Sequence, residues 1–318
     1  MPPERTVDPA RVDISVIIPV FNEEPNIPEL FKRLAGALKP TGCSFEIIFV
    51  DDGSTDRSFE ILSGLCRDNP GQLRIIRFSR NFGHQIAITA GFKYARGRAA
   101  VVTDADLQDP PEVIRDFIAK WKEGYELVYG VRTEREGETF FKKFTAGLFY
   151  RLIRKMTSID IPANAGDFYL MDRKVLNAFN SLNERHRFNR GLLAWLGFKR
   201  AAVEYERKAR FSGTTKYPFW KMVKFAMDAV VSFSFSPLRF VFGLGVFFSL
   251  FAFAMILFII YLKLFTQTTI QGWSSLMAMI LLIGGIQLLA VGLIGEYLAR
   301  IGDDTKSRPL YVVSEVLE

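Results

Sequence analysis

The chain has 318 residues, a formal net charge of +7 and a mean hydropathy of +0.13, an average that hides a mostly apolar stretch from about 237 to 299. Because basic residues cluster near this stretch, the charge favours a membrane surface over nucleic acid as the partner. Two cysteines, Cys43 and Cys66, exclude a disulfide framework, so we expect packing roles and a reducing compartment. Residues 1–13 lack the apolar core of a signal peptide, and we expect a flexible N-terminus there.

Short apolar runs alternate with helical patterns over the first 130 residues. The pattern predicts strands over 14–20, 45–50, 73–78, 99–102 and 126–130. Helices are expected over 25–39, over 84–96 and from 112 onward. This alternation predicts an α/β fold with a mainly parallel sheet and helices on both of its faces.

A polar cluster follows each of the first four predicted strands. The clusters are Phe21-Asn22-Glu23, Asp51-Asp52-Gly53-Ser54, Arg80-Asn81-Phe82-Gly83 and Asp104-Ala105-Asp106. Ligands bind outside the carboxyl ends of parallel strands, so we expect these clusters to converge on one site. Neither a Gly-x-Gly-x-x-Gly nor a P-loop pattern is present, so acids and a metal would hold any bound nucleotide.

Asp104 and Asp106 follow the buried run 99–102 at alternate positions, which on an extended chain point the same way. Two hard oxygen ligands suit Mg²⁺ or Mn²⁺, whose shell is then completed by waters and substrate phosphates. The alternative is that both are ordinary polar residues of a loop at a strand end.

Two basic amphipathic segments, 139–156 and 216–236, combine Lys and Arg with Phe, Leu and Trp. This composition favours helices lying at a lipid headgroup surface, the first interfacial and the second juxtamembrane. The alternative for each segment is a solvated charged face over an ordinary core.

Two apolar segments, about 238–262 and 273–298, are each long enough to cross a hydrocarbon core of ~30 Å. Basic residues flank the pair, and only Lys263 lies in the turn between the segments. The positive-inside rule then predicts that the soluble domain and both termini lie in the cytoplasm. The expected domains are a soluble domain over 14–215, two transmembrane helices within 237–299, and a cytoplasmic tail over 300–318. The tail is able to add an edge strand to the sheet.

Glycines in the second span favour close packing between helices. We expect a homo-oligomer formed through the membrane and juxtamembrane helices.

Three motifs, within 15–24, 50–56 and 104–112, resemble those of the family-2 inverting glycosyltransferases of GT-A fold. The resemblance continues through 166–173 and 213–217 and into the apolar segments, so it covers nearly the whole chain. The most similar group is the polyisoprenyl-phosphate glycosyltransferases, which includes dolichol-phosphate mannose synthases and the GtrB-type glucosyltransferases.

The resemblance implies roles for individual residues. Those implied to bind a nucleotide-sugar donor are Pro19, Phe21, Glu23, Asp51, Asp52, Ala105 and Gln108. Those implied to hold Mg²⁺ or Mn²⁺ are Asp104, Asp106 and Gln108. Those implied to bind the acceptor phosphate are Arg132, Lys143, Arg210 and Lys216. Asp104 and Asp106 are counted as catalytic together with Asp167, which is implied to orient the acceptor or act as a base.

Several of these roles have structural alternatives. Glu23 and Asp52 fit cap or turn chemistry, and Asp167 fits a cap or a salt bridge. His84 fits a structural or supporting role better than a donor contact.

The expected function is inverting, metal-dependent transfer of a hexose to a polyisoprenyl phosphate at a membrane face, with UDP-glucose favoured as the donor and a bacterial inner membrane as the location. Alternatives are mannosyl transfer from GDP-mannose and a silent membrane scaffold of the same fold. A processive polysaccharide synthase is disfavoured because a Gln-x-x-Arg-Trp motif is absent. A transferase with a protein or glycan acceptor would not need the basic helices. A transporter subunit is disfavoured because neither span carries a central ionisable residue.

Overall fold

The structure is a computed structural model that describes residues 12–133, 165–182, 184–185, 187–207, 236–265 and 272–318. These residues fall into two units. One unit contains the sheet and its helices together with Arg308–Glu318, and the other contains the two long helices between residues 236 and 305.

The sheet unit alternates strands with helices. Its strands are β1 (Ile14–Val20), β2 (Phe45–Asp51), β3 (Leu73–Phe78), β4 (Ala99–Val102), β5 (Leu127–Arg132), β6 (Ala165–Asp172), β7 (Arg200–Tyr205) and β8 (Val313–Leu317). Its helices are α1 (Ile27–Leu38), α2 (Ser58–Asp68), α3 (His84–Tyr94), α4 (Ile114–Lys122), α5 (Arg173–Asn180) and α6 (Asn189–Trp195). Short 3₁₀ turns, Lys39–Thr41 and Pro111–Val113, follow α1 and precede α4.

The described strands form one eight-stranded sheet in the order β7-β5-β6-β4-β1-β2-β3-β8. Strands β4, β1, β2 and β3 are parallel neighbours, whereas β6 and β8 run antiparallel to the strands they pair with. All seven residues of β1 are buried, as expected for a parallel strand covered on both faces by helices. The predicted parallel core is therefore confirmed, within a sheet that is mixed at its flanks.

The reversed direction of β6 collects polar residues at one edge of the sheet. Val102 at the end of β4 pairs with Tyr169, so β6 begins at the edge where β4 ends, and Asp167 lies near that beginning. Strands β5 and β7 are parallel, and their last residues, Arg132 and Tyr205, are register partners. The carboxyl edge of β1 to β4 thus also receives the start of β6 and the ends of β5 and β7.

The predicted bounds of the first five strands agree with the structure to within two residues, and the edge strand proposed for the tail is confirmed as β8. The structure adds α2, β6, β7, α5 and α6, for which the sequence pattern had given no bounds. The predicted segments 139–156 and 216–235 lie outside the described residues.

The second unit consists of α7 (Ser236–Phe265) and α8 (Trp273–Thr305), which contain the two predicted spans. Of the described segments, one stretch, Leu282–Thr305, has both the length and the apolar composition needed to cross a membrane, and Val241–Met255 is apolar but shorter. Large apolar side chains project outward from both helices, among them Phe242, 74% exposed, and Leu288, 76% exposed.

Candidate active site

The loop after β4 carries Asp104 and Asp106 into the centre of the carboxyl edge. Asp104 is half-buried, and its buried Oδ1 accepts no hydrogen bond. Asp106 is 7% exposed, and its Oδ1 accepts a hydrogen bond of 3.1 Å from the amide of Gln108. Between Asp106 and Gln108, Leu107 adopts a φ of +59° with its side chain buried in the core. A left-handed backbone is costly for leucine, so core packing holds the loop in a shape that the chain alone would not favour.

His84, at the first turn of α3, lies between two carboxylates. Its Nε2 is 3.4 Å from Asp104 Oδ1 and 3.6 Å from Asp167 Oδ2. Asp167 Oδ2 also accepts a hydrogen bond of 2.8 Å from Gln85, and Asp167 Oδ1 lies 3.4 Å from Nε of Arg190. The supporting role expected for His84 is compatible with this position, which links the predicted metal carboxylate to the predicted catalytic carboxylate.

A second contact fixes the orientation of Gln85. Its side-chain oxygen accepts a hydrogen bond of 3.1 Å from the amide of Asn189, and its carbonyl accepts one of 3.1 Å from the Asn189 side chain. Asn189 is fully buried, and Arg190 follows it in α6. The first turns of α3 and α6 therefore hold Asp167 from two sides.

The clustering of charges shifts three ionisation equilibria. Burial would raise the pKa of Asp167, but Arg190, His84 and Gln85 outweigh it and lower that pKa to about 2. Burial would lower the pKa of His84, whose side chain is 34% exposed, but Asp104 and Asp167 raise it to about 9. Burial raises the pKa of Asp104 to about 7 against the effect of His84, with Asp109, Asp167 and Asp106 adding repulsion. Asp167 is thus ionised at neutral pH, and Asp104 belongs to a cluster that a cation would stabilise.

The carboxylates fit a divalent ion that is completed by its substrate. Within the described ranges, no three His, Cys, Asp or Glu side chains are arranged to hold a metal. Mg²⁺ and Mn²⁺ do not need such a set, because one or two carboxylates suffice when waters and phosphate oxygens supply the remaining ligands. The buried, hydrogen-bond-free oxygen of Asp104 and the neighbouring Asp106 meet this requirement.

Three carboxylates predicted to bind the donor, at the end of β2 and in the loops after β1 and β2, accept hydrogen bonds from their own loop or from the loop after β3. Asp52 accepts hydrogen bonds from the amides of Phe82 (2.7 Å) and Gly83 (2.9 Å), and burial raises its pKa. Asp51 accepts a hydrogen bond of 3.0 Å from the amide of Ser54. Glu23 accepts one of 2.6 Å from the Asn26 side chain.

These bonds match the cap and turn chemistry kept open for Glu23 and Asp52. Of the other predicted donor residues, Pro19 and Ala105 are buried, whereas Phe21 and Gln108 are half-buried. Donor contact stays a prediction for all seven residues.

A basic cluster lies beside the carboxylates and is organised by Asp109. The Asp109 side chain is fully buried, and its Oδ1 accepts a hydrogen bond of 2.5 Å from the hydroxyl of Tyr205. The same oxygen lies 3.7 Å from Arg132 Nη2 and 3.8 Å from Arg207 Nε. The side chains of these two arginines are 28% and 31% exposed. The Arg132 guanidinium occupies the space that a Cβ at Gly166 would fill. Gly166 is the residue immediately before Asp167, so this guanidinium lies beside the start of β6.

One of the four predicted acceptor residues, Arg132, therefore lies at the carboxyl edge. Lys143, Arg210 and Lys216 lie outside the described residues. Sequence reasoning did not identify five residues of the site: Gln85, Asp109, Arg190, Tyr205 and Arg207. Asp109 had a signal, since it belongs to the 104–112 motif. The other four meet the site only through long-range pairing.

Residues 15–179 match the family model described as glycosyl transferase family 2. The chain belongs to this family. It is 54% identical over 304 residues to the uncharacterized glycosyltransferase YkcC of Bacillus subtilis, covering 96% of this chain and 94% of that protein. It is 37% identical over 303 residues to the prophage bactoprenol glucosyl transferase homolog of Escherichia coli, covering 95% and 99%. The bactoprenol glucosyl transferase of Shigella phage SfII is also 37% identical, over 302 residues, with coverage of 95% and 97%.

Membership of glycosyl transferase family 2 makes the chain a glycosyltransferase, as the motifs implied. It confirms the expected resemblance and the expected GT-A α/β fold of the sheet unit, while the transmembrane hairpin stays a prediction. The matched region contains both loop carboxylates and Asp167. Arg207 and β8 lie beyond it.

Proposed function

We propose that this glycosyltransferase moves glucose from UDP-glucose to a polyisoprenyl phosphate at the cytoplasmic face of a membrane. The similarity to proteins named bactoprenol glucosyl transferases extends over nearly the whole of each chain and supports this lipid class and this sugar. This similarity extends through the long helices, beyond residues 15–179 that match the family model.

The observation that carries the proposal is the adjacency of an acidic cluster and a basic one. Asp104 and Asp106 begin the loop whose last acid, Asp109, pairs with Arg132 and Arg207. The acids suit a metal-bound diphosphate, and the arginines suit a second phosphate because guanidinium groups bind such oxygens in bidentate fashion. A reaction between a nucleotide sugar and a phosphorylated lipid needs these two neighbouring sites.

In this proposal the acceptor phosphate oxygen attacks C1 of the sugar, and the bond from C1 to the donor diphosphate breaks to release the nucleoside diphosphate. Asp104 and Asp106 would hold Mg²⁺ or Mn²⁺, which supplies charge neutralisation for the leaving group. Arg132 and Arg207 bind the acceptor phosphate and place it beside Asp167. Attack by a phosphate explains why no strong base is required, since a phosphate monoester with a second pKa of about 6 is largely ionised at neutral pH.

Asp167 then acts as an ionised orienting group. A carboxylate with a pKa of about 2 is a poor proton acceptor at neutral pH, so proton abstraction by Asp167 is not part of this proposal. Arg190 and Gln85 hold its two oxygens, which leaves the carboxylate fixed at the start of β6.

The long helices support a membrane location. Apolar side chains such as Phe242 and Leu288 are mostly exposed along α7 and α8, and surfaces of this kind are covered by lipid or by another chain. We propose that both helices cross a bacterial inner membrane, with both termini in the cytoplasm, and that two or more copies associate through them. Cysteine accessibility labelling at Lys263 and at Glu318 tests the topology, because only Glu318 should be labelled from the cytoplasmic side.

The decisive test is transfer by the purified full chain in lipid nanodiscs. The assay supplies Mg²⁺ or Mn²⁺, a short polyprenyl phosphate and, in separate reactions, labelled UDP-glucose, UDP-N-acetylglucosamine and GDP-mannose. We expect metal-dependent labelling of the lipid from UDP-glucose. Labelling of the lipid only from GDP-mannose would show that the donor is GDP-mannose and would refute the assignment of UDP-glucose. Donor hydrolysis without lipid labelling would refute the acceptor class.

A further inference from the structure

The segment that follows the long helices, Arg308–Glu318, is built into the sheet unit next to the candidate site. Strand β8 pairs antiparallel with β3, and the register shifts between Arg77 and Phe78, which pair with Glu315 and Val313 of β8. The pairing continues beyond the strand, because the amide of Ser79 donates a hydrogen bond of 3.0 Å to the carbonyl of Val312. The tail therefore contacts the start of the loop over 79–83, which leads into α3.

Aromatic contacts extend from the tail into the same loop. The Tyr311 ring stacks on Phe78 with ring centres 4.9 Å apart and an angle of 18° between the planes. Phe78 meets Phe82 edge to face, with centres 5.6 Å apart and an angle of 88°. These two contacts connect Tyr311 to the loop through rings that bury large apolar areas.

The opposite side of the loop is held by the loop after β2. Asp52 accepts hydrogen bonds from the amides of Phe82 and Gly83. Gly53 has a φ of +71°, and a Cβ there would lie 2.5 Å from the carbonyl carbon of Arg80, so the two backbones are in direct contact. The loop is thus fixed between a donor-side carboxylate and the aromatic side chain of the tail.

The next residue after this loop is His84, which lies between Asp104 and Asp167. A displacement of the loop would therefore move the first turn of α3 and release the amides that Asp52 binds. Errors in placement of about 1 Å at such positions cost up to about a hundredfold in rate.

We propose that Tyr311 is a positioning residue for the donor side of the active site, acting through Phe78 and Phe82 on the loop over 79–83. The inference rests on the proposed function for its kinetic test, since the donor there is UDP-glucose. It gives the tail, which lies outside the family match over 15–179, a part in the reaction.

The test compares Tyr311→Ala with Tyr311→Phe in the full chain in nanodiscs. Tyr311→Phe keeps the stacked ring and should behave as the wild type. Tyr311→Ala should raise the KM for UDP-glucose about tenfold, as expected for a misplaced binding loop. It should change the KM for the lipid phosphate less, because Asp52 binds the loop directly whereas Asp167 is reached only through the first turn of α3. The matched control is Val312→Ala, because Val312 is 50% exposed and its backbone bond to Ser79 survives the change.

Hydrogen exchange provides a readout that does not depend on the reaction. Tyr311→Ala should speed exchange in a peptide covering residues 79–84, and Tyr311→Phe should not. If Tyr311→Ala is recovered in poor yield, Tyr311→Leu tests the same ring contact with less loss of buried volume.

If Tyr311→Ala changes neither the hydrogen exchange of residues 79–84 nor the KM for UDP-glucose, the inference is overturned. A fall in the amount of active enzyme without a rise in donor KM would also overturn it, because that result describes only a stabilising contact. If the wild type itself labels no lipid, the proposed function fails, and the exchange measurement still decides whether Tyr311 holds the loop.

Discussion

Replacing Arg207 with glutamine tests whether the basic cluster binds the acceptor phosphate. The change removes one of the two guanidinium groups near Asp109 and leaves Arg132 and the Tyr205 hydroxyl in contact with this carboxylate. Because Asp109 keeps Arg132 and the Tyr205 hydroxyl as partners, and Arg207 lies 3.8 Å from it, we expect the variant to fold with a small loss of stability.

The expected effect on the acceptor is larger. A hydrogen bond between charged groups contributes about 1.5–3 kcal/mol, which corresponds to a rise of roughly 10- to 150-fold in the KM for the lipid phosphate. The KM for UDP-glucose should stay within about twofold of the wild type, since Arg207 belongs to the acceptor side in this scheme.

The assay is the initial rate of lipid labelling at saturating donor and varied polyprenyl phosphate. Arg200→Gln is the matched control, since it removes an arginine from the other end of β7, away from the carboxyl edge. An acceptor KM unchanged in Arg207→Gln, or a rise confined to the donor KM, would refute the assignment. A double variant with Arg132→Gln should show a non-additive effect, because both arginines share one carboxylate.

Three further outcomes follow from the same geometry. Asp106→Asn should lower metal-dependent transfer by at least about a hundredfold, with the lipid-labelling assay repeated at raised Mn²⁺ to separate weaker metal binding from lost chemistry. Asp167→Asn should destabilise the fold by about 2 kcal/mol at pH 7, since the native pKa of Asp167 lies below the ordinary 3.8. That contribution is complete above about pH 4 and is lost as pH falls toward the native pKa of about 2. The melting temperatures of the wild type and of Asp167→Asn should therefore converge in acid. A difference in melting temperature that stays constant with pH would contradict this reasoning. Gly166→Ala should displace the Arg132 guanidinium and raise the acceptor KM. Gly91→Ala is the control, because its new Cβ would meet Ile17 in the core. It should lower the melting temperature and leave the KM values for donor and acceptor unchanged.

The parts of the fold that the sequence could predict are those with strong local signals. Strands β1, β2 and β4 are mostly apolar runs, and β3 is apolar apart from Arg74 and Arg77. Each of the four is followed by a polar cluster, so both their positions and their convergence follow from local pattern. Strand β6 gives a weaker signal because it runs antiparallel between β4 and β5 after a connection of more than thirty residues.

The contacts that complete the site are long-range. Tyr205 and Asp109 are 96 residues apart, and Gln85 and Asp167 are 82 apart. Neither pair has a spacing that local periodicity can detect. The sequence therefore predicted Asp104, Asp106, Asp167 and Arg132 at this edge. It did not predict Arg207, nor the residues that hold these side chains in place.

The distribution of charge explains how one edge of a sheet can hold two anionic substrates. A site made only of carboxylates would repel a lipid phosphate, and one made only of arginines would not hold a divalent ion. In this chain Asp109 lies between the two kinds of group and neutralises part of the charge of Arg132 and Arg207, while Arg190 and His84 do the same for Asp167. In the proposed reaction each substrate charge would then have a counterpart held in place before binding, which is the condition for stabilising charge in the transition state without reorganisation. This arrangement also predicts that removing Asp109 harms acceptor binding even though it increases the local positive charge, because the arginines lose the group that sets their spacing.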